Sequence, residues 1–232
     1  MSTKTVAIVQ SSYIPWKGYF ELIARSDEFI LFDDVQYTKR DWRSRNRIKT
    51  RDGLQWLTIP VNVSGRFFQP IKAVTIAEHG WNERHWKTIA ASYARAPYFA
   101  EYRDRVEQLY CDATDESLSV VNHRFIVGLC DLLGIQTRIT WSMDYHVVDG
   151  KTERLVDLCR QAGATRYLSG PSARAYIDPK LFDQAGVALE FVDYDGYKEY
   201  AQLFPPFEHG LSVIDVLFNV GAAARDHIIR QP

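Results

Sequence analysis

The segment Gln10-Ser11-Ser12-Tyr13-Ile14-Pro15-Trp16-Lys17-Gly18-Tyr19 joins a short apolar run to a helix-forming stretch. Its Gln, Ser, Tyr and Trp side chains can hydrogen-bond to a ligand and stack on it. Backbone N–H groups at a helix start can also hold an anion. A purely structural alternative is an aromatic helix cap built from Pro15 and Trp16. The next apolar run ends in Asp33-Asp34, with Gln36, Tyr37, Lys39 and Arg40 close behind. Paired carboxylates can bind a metal, orient a hydroxyl or accept a proton. The bland alternative is that one caps a turn while the other is solvated.

Seven basic residues then fall between Thr38 and Arg51, with Trp42 among them. Arg43, Arg45 and Arg47 alternate, so they share one face of an extended chain. That face can clamp the phosphates of a nucleotide or nucleotide-sugar. It can equally contact a nucleic-acid backbone, with Trp42 stacking, or serve as a charged strand edge that discourages aggregation. The net charge of −1 argues for a local phosphate pocket over a nucleic-acid surface.

Further along, His85 sits between Arg84 and Lys87, whose charges favour its neutral, base-competent form. Asn122 lies on one helical line with Phe125, Ile126 and Leu129, so a buried amide must find a partner there. Ser169-Gly170-Pro171-Ser172 follows a short strand and offers a hydroxyl or anion site. Asp193-Tyr194-Asp195 resembles the D-x-D of metal-dependent sugar-nucleotide transferases, a pattern that also arises often by chance. Asp215 has the spacing of a helix cap with Ser212; Asn219 has no such explanation. Cys111, Cys130 and Cys159 are widely spaced, with no C-x-x-C pair, which fits a reducing cytoplasmic location.

These residues need elements to position them. Val6–Val9 and Phe29–Phe32 read as buried strands flanking a helix over Lys17–Arg25. A turn at Arg51-Asp52-Gly53 predicts a β-hairpin with Trp56–Val61. Ile71–Ile76 reads as a strand. Helices follow over Trp81–Arg95, Tyr98–Tyr110 and Asp115–Leu133, the first pair broken at Ala96-Pro97. Thr137–Trp141, Arg166–Leu168 and Val187–Val192 read as strands, Glu153–Ala162 and Leu211–Ile229 as helices. The expected class is α/β: a mostly parallel central sheet with flanking helices, a hairpin insertion and a helical subregion at about 81–133, forming a single domain over 1–232. In such sheets ligands sit beyond the carboxyl ends of the strands.

The chain has 232 residues, 46% hydrophobic and 25% charged, which excludes disordered and fibrous classes. Aromatic residues stand out at 13%. The short apolar run at the N-terminus does not fit a signal peptide, and no apolar run is long enough to span a membrane.

The residues together resemble the WbqC-like family. Gln10 with Tyr13-Ile14-Pro15-Trp16-Lys17-Gly18-Tyr19-Phe20 is similar to its opening motif, with Ser11 in place of the usual Pro. The likeness continues through Asp33-Asp34-Val35-Gln36-Tyr37, Trp42-Arg43-Ser44-Arg45-Asn46-Arg47, Thr58–Val61, His85-Trp86-Lys87, Tyr167-Leu168-Ser169-Gly170 and Ser212–Asn219. Family members are associated with bacterial surface-polysaccharide (O-antigen) gene clusters, so the resemblance implies a pathway and not a reaction. A more distant likeness is to nucleotidylyltransferase-like folds, but Gly18-Tyr19 stands where Gly-His would be expected.

The resulting expectation is a cytoplasmic transferase acting on a nucleotide-linked sugar, by acyl or aminoacyl transfer to a sugar amine. Asp33, Asp34 or His85 would take the amine proton. Arg43, Arg45 and Arg47 would hold diphosphate, while Trp16, Tyr19 and Trp42 stack on base or sugar. Gln10, Tyr13, Gly18, Gln36, Tyr37, Lys39, Asn46, Asn122, Ser169, Gly170 and Asn219 complete the expected binding set. No residue is assigned to a metal, the cofactor is unknown, and the partners are the nucleotide-sugar and an activated acyl donor. The rivals are a metal-dependent glycosyltransferase, a nucleic-acid-binding module and a polysaccharide-assembly scaffold.

Overall fold

The computed structural model describes residues 3–146 and 148–229. Five parallel strands form the central sheet: β1 (Thr5–Val9), β2 (Glu28–Leu31), β5 (Arg138–Trp141), β6 (Arg166–Ser169) and β7 (Ala188–Phe191). Strands β3 (Arg45–Thr50) and β4 (Gly53–Thr58) make a separate antiparallel hairpin. The sheet order is β5-β2-β1-β6-β7. From β1 the chain therefore builds outward on one side, then returns to build on the other. The order reverses between β1 and β6.

The central strands carry apolar side chains on both faces because both faces are covered. Alternation assigns each side chain to a layer. Ala7, Phe29, Leu31 and Leu168 face one core. Val6, Ile8, Ile30, Phe32 and Tyr167 face the other. The first core is closed by α1 (Lys17–Ala24), α2 (Trp81–Tyr93), α3 (Phe99–Cys111), α4 (Leu118–Leu132), α7 (Val213–Val220) and α8 (Ala224–Ile228). The hairpin packs on this side too, through Ile48 and Leu57. The second core is closed by α5 (Thr152–Gln161) and α6 (Pro179–Ala185). No helix among the described residues is long and apolar enough to cross a membrane.

The α/β class, the parallel sheet and the hairpin match the sequence reading. Three elements differ. Ile71–Ile76 is not a strand: Ile71–Ala73 forms a 3₁₀ turn. Its amides are already used, Ile71 N–H by the Val35 carbonyl and Lys72 N–H by that of Asp33. Helix α6 follows Asp178-Pro179, a cap and first-turn pair the sequence reading passed over. The expected last helix is two, because Gly221 adopts φ 65° and ψ −135°. A side chain there would be strained, and a Cβ would sit 2.3 Å from the Tyr98 ring. Gly221→Ala is therefore expected to lower stability by about 2 kcal/mol or more, read from denaturant midpoints.

Candidate functional site

The turn after β1 is buried, not solvated. Ser11, Tyr13 and Ile14 have no exposed surface. Every polar backbone group on such a turn must pair inside the protein. The Ser11 amide donates to Asp33 Oδ1 at 2.9 Å, and the Tyr13 amide to the Trp42 carbonyl at 3.0 Å. Asn46 Nδ2 donates to the Tyr13 and Ile14 carbonyls at 3.2 and 2.9 Å. The Pro15 carbonyl accepts from Val213 N at 2.8 Å. Ile14 is held at φ 36°, a left-handed conformation that a β-branched residue rarely takes. Asn46 is the clamp that holds it.

This turn borders a cleft of about 890 Å³ at the carboxyl ends of β1 and β6, where the strand order reverses. Gln10, Trp16, Tyr19, Trp42, Arg43, Asn46, Arg47, Ser169 and Gly170 line it, as do Ser12 and Phe32. Arg43 Nη1 donates to Gln10 Oε1 at 2.8 Å, and the Tyr19 hydroxyl to the Gln10 carbonyl at 3.1 Å. Arg47 donates to the Gly210 carbonyl at 3.0 Å, and its guanidinium lies 5.9 Å from the Trp42 ring. The Nε atoms of Arg43 and Arg47 are buried without an acceptor. Trp16 meets Tyr194 edge to face, with centroids 5.0 Å apart.

The remaining expected residues lie outside the lining. Asp33 is fully buried, accepting from Ser11 N and from the Ser119 hydroxyl. Burial raises its pKa against those hydrogen bonds. Asp34 pairs with Lys72 and accepts from the Ser142 hydroxyl at 2.6 Å. The Tyr13 hydroxyl sits between His85 Nδ1 at 2.9 Å and the Tyr110 hydroxyl at 2.7 Å. Gly18 is where the Trp16 ring passes: a Cβ would stand 2.3 Å from it. Gln36 donates to the Phe67 carbonyl at 2.9 Å, and the Tyr37 hydroxyl pairs with Ser44 at 2.6 Å. Lys39 is exposed. Arg45 shares a hairpin face with Arg47 but is spent on the Trp56 ring, 4.1 Å away. Asn122 donates to Ser11 Oγ and to the Arg43 carbonyl, tying helix α4 to the turn and the hairpin. Asn219 bridges the Asp215 carbonyl and the Leu203 amide. Asp193 accepts from the Asp195 amide at 3.0 Å. Burial pushes the Cys130 and Cys159 thiols up to about 12.

Lys151, Arg154 and Tyr176 line the cleft without having been anticipated, whereas Ser172 lines it as part of the expected Ser169–Ser172 hydroxyl or anion site. A usable signal existed. Helix α5 follows a parallel strand, so its first turn lies at the same sheet edge as the strand carboxyl ends.

A family model for the WbqC-like proteins matches residues 10–227, from the Gln10 of the cleft into the last helix. The chain belongs to the WbqC-like protein family. It is also 52% identical over 225 residues to an uncharacterized protein of Mycobacterium tuberculosis (strain ATCC 25618 / H37Rv), Rv1507c, covering 97% of each chain. No solved structure matches it. Across this family member, then, the family match runs through both the buried turn and the hairpin that faces it.

Two outcomes follow from this geometry. Asn46→Ala strands two buried carbonyls, so it should cost about 2 kcal/mol or more in denaturant unfolding. Burial, with the charge of Arg84 adding to it, lowers the His85 pKa to about 4. Below about pH 6.5 the unfolded chain takes up a proton at His85 that the native protein refuses. Native stability should therefore fall by about 3 kcal/mol as pH drops from about 6.5 to about 4. His85→Gln should flatten that part of the curve in denaturation at pH 7 and pH 4.5.

Proposed function

We propose that the cleft binds a nucleotide-linked sugar and that the protein transfers an acyl or aminoacyl group to a sugar amine during surface-polysaccharide synthesis in the cytoplasm. One observation carries the reading. Four cations (Arg43, Arg47, Lys151 and Arg154) line the cleft, together with Trp16, Tyr19 and Trp42, and no carboxylate is among the described lining residues. Such a lining attracts phosphate and offers flat faces to a base or sugar.

Asp33 and His85, being walled off behind the turn, are not the proton acceptors of this proposal, and Asp34 is held by Lys72 and Ser142. The cleft acts on the amine differently. Four nearby positive charges disfavour a bound ammonium and favour the free amine. The amine nitrogen then attacks the donor's carbonyl carbon. The C–N bond forms, the bond to the donor's leaving group breaks, and the proton leaves to water. Arg43 and Arg47 hold the diphosphate, and Ser12, Ser169 and Gln10 orient the sugar.

A second reading is a non-catalytic nucleotide-sugar carrier. It is favoured by the lack of any His, Cys, Asp or Glu among the described lining residues. Calorimetry with a panel of nucleotide-sugars, followed by turnover assays with activated acyl donors, separates the two. Binding with turnover is expected; binding alone supports the carrier, and no binding sinks both. Arg43→Gln should weaken nucleotide-sugar binding about tenfold or more.

A further inference from the structure

The cleft's cations come from two walls on opposite faces of the sheet. Arg43 and Arg47 belong to the hairpin side, which packs on the first core. Lys151 immediately precedes α5 and Arg154 lies in its first turn; this helix packs on the second core. The ends of β1 and β6, carrying Gln10 and Ser169, lie between them. The two phosphates of a diphosphate are adjacent and need only one wall. The other wall is then charged for something else.

Arg154 is poorly provided with partners of its own. Its Nε is buried with no acceptor. Its guanidinium lies 5.9 Å from the Phe32 ring. Its ion pair is with Asp149, 3.9 Å away and fully exposed, where solvent screens the attraction. Ser172, from the 3₁₀ turn after β6, adds a hydroxyl to the same cleft.

We propose that Arg154, Lys151 and Ser172 form a second anion subsite that takes a carboxylate on the sugar moiety, making the substrate a nucleotide-linked acidic sugar. A single planar guanidinium edge with one hydroxyl suits a planar carboxylate. A phosphate dianion would call for more donors. This inference rests on the nucleotide-sugar reading above and specifies its substrate class.

The test is calorimetry with matched probes: UDP-glucose against UDP-glucuronate, and GDP-mannose against GDP-mannuronate. The uronate of at least one pair should bind about tenfold more tightly than its neutral partner. Arg154→Gln should abolish that preference, weakening the uronate about tenfold more than its neutral partner. Arg154→Lys, which keeps the charge, should retain part of the preference. Arg43→Gln should weaken both members of the pair alike. Thermal melts of each variant establish that it is folded. If neutral members bind but the uronates gain nothing, or if Arg154→Gln weakens both members equally, the subsite is refuted and the nucleotide-sugar reading stands. If neither uronate binds, the subsite is refuted; if the whole panel of nucleotide-sugars also fails to bind, the nucleotide-sugar reading falls with it.

Discussion

The architecture around the cleft depends on one constraint: the turn after β1 is buried, so its backbone polar groups must be satisfied by protein. Water cannot do it. The partners come from far along the chain. Asp33, Asn46 and the Trp42 carbonyl pair with the turn from the β2 end and the hairpin, and Val213 closes it from α7. Asn122 adds a second layer by holding Ser11 Oγ and the Arg43 carbonyl together. Removing any one partner leaves a buried group unpaired. That asymmetry makes the turn rigid and lets Ile14 persist at a backbone angle it would not choose alone.

The same burial sorts charge by location. Behind the turn, Asp33 and His85 are desolvated, and their pKa values move toward the neutral forms. Their hydrogen bonds serve the scaffold. In front of the turn no acid lies among the described lining residues, and Arg47 and Arg154 have Glu208 and Asp149 as ion-pair partners only at 3.8 and 3.9 Å. Scaffold and cleft lining are thus divided between residues only a few positions apart in sequence. Gln10 faces the cleft while Ser11 faces the core; Arg43 and Arg47 line the cleft while Arg45 stacks on Trp56.

Much of the fold was legible because its signals are local. Apolar runs at Val6–Val9 and Phe29–Phe32 marked buried strands, and periodicity marked the helices. Two of the three misread elements depend on contacts with distant residues; the third, α6, had a local cap signal. Ile71–Ala73 curls because its amides are claimed by the loop after β2, and the last helix breaks where the Tyr98 ring crosses Gly221. Nine of the expected residues line the cleft because the location rule for parallel strands acts through strand order. Arg154 and Lys151 escaped notice because they lie over ninety positions beyond the hairpin.

By itself the sequence determined which residues are apolar, which alternate, and where β1, β2 and the hairpin arginines lie. Those are properties of neighbours along the chain, read at periods of two and 3.6 residues. Only the tertiary structure decided that Asp33 and His85 face inward while Arg43, Arg47, Lys151 and Arg154 face one space. Exposure and charge juxtaposition are set by which elements pack together, and here the reversal of strand order between β1 and β6 opens the gap that brings both walls to the same cleft.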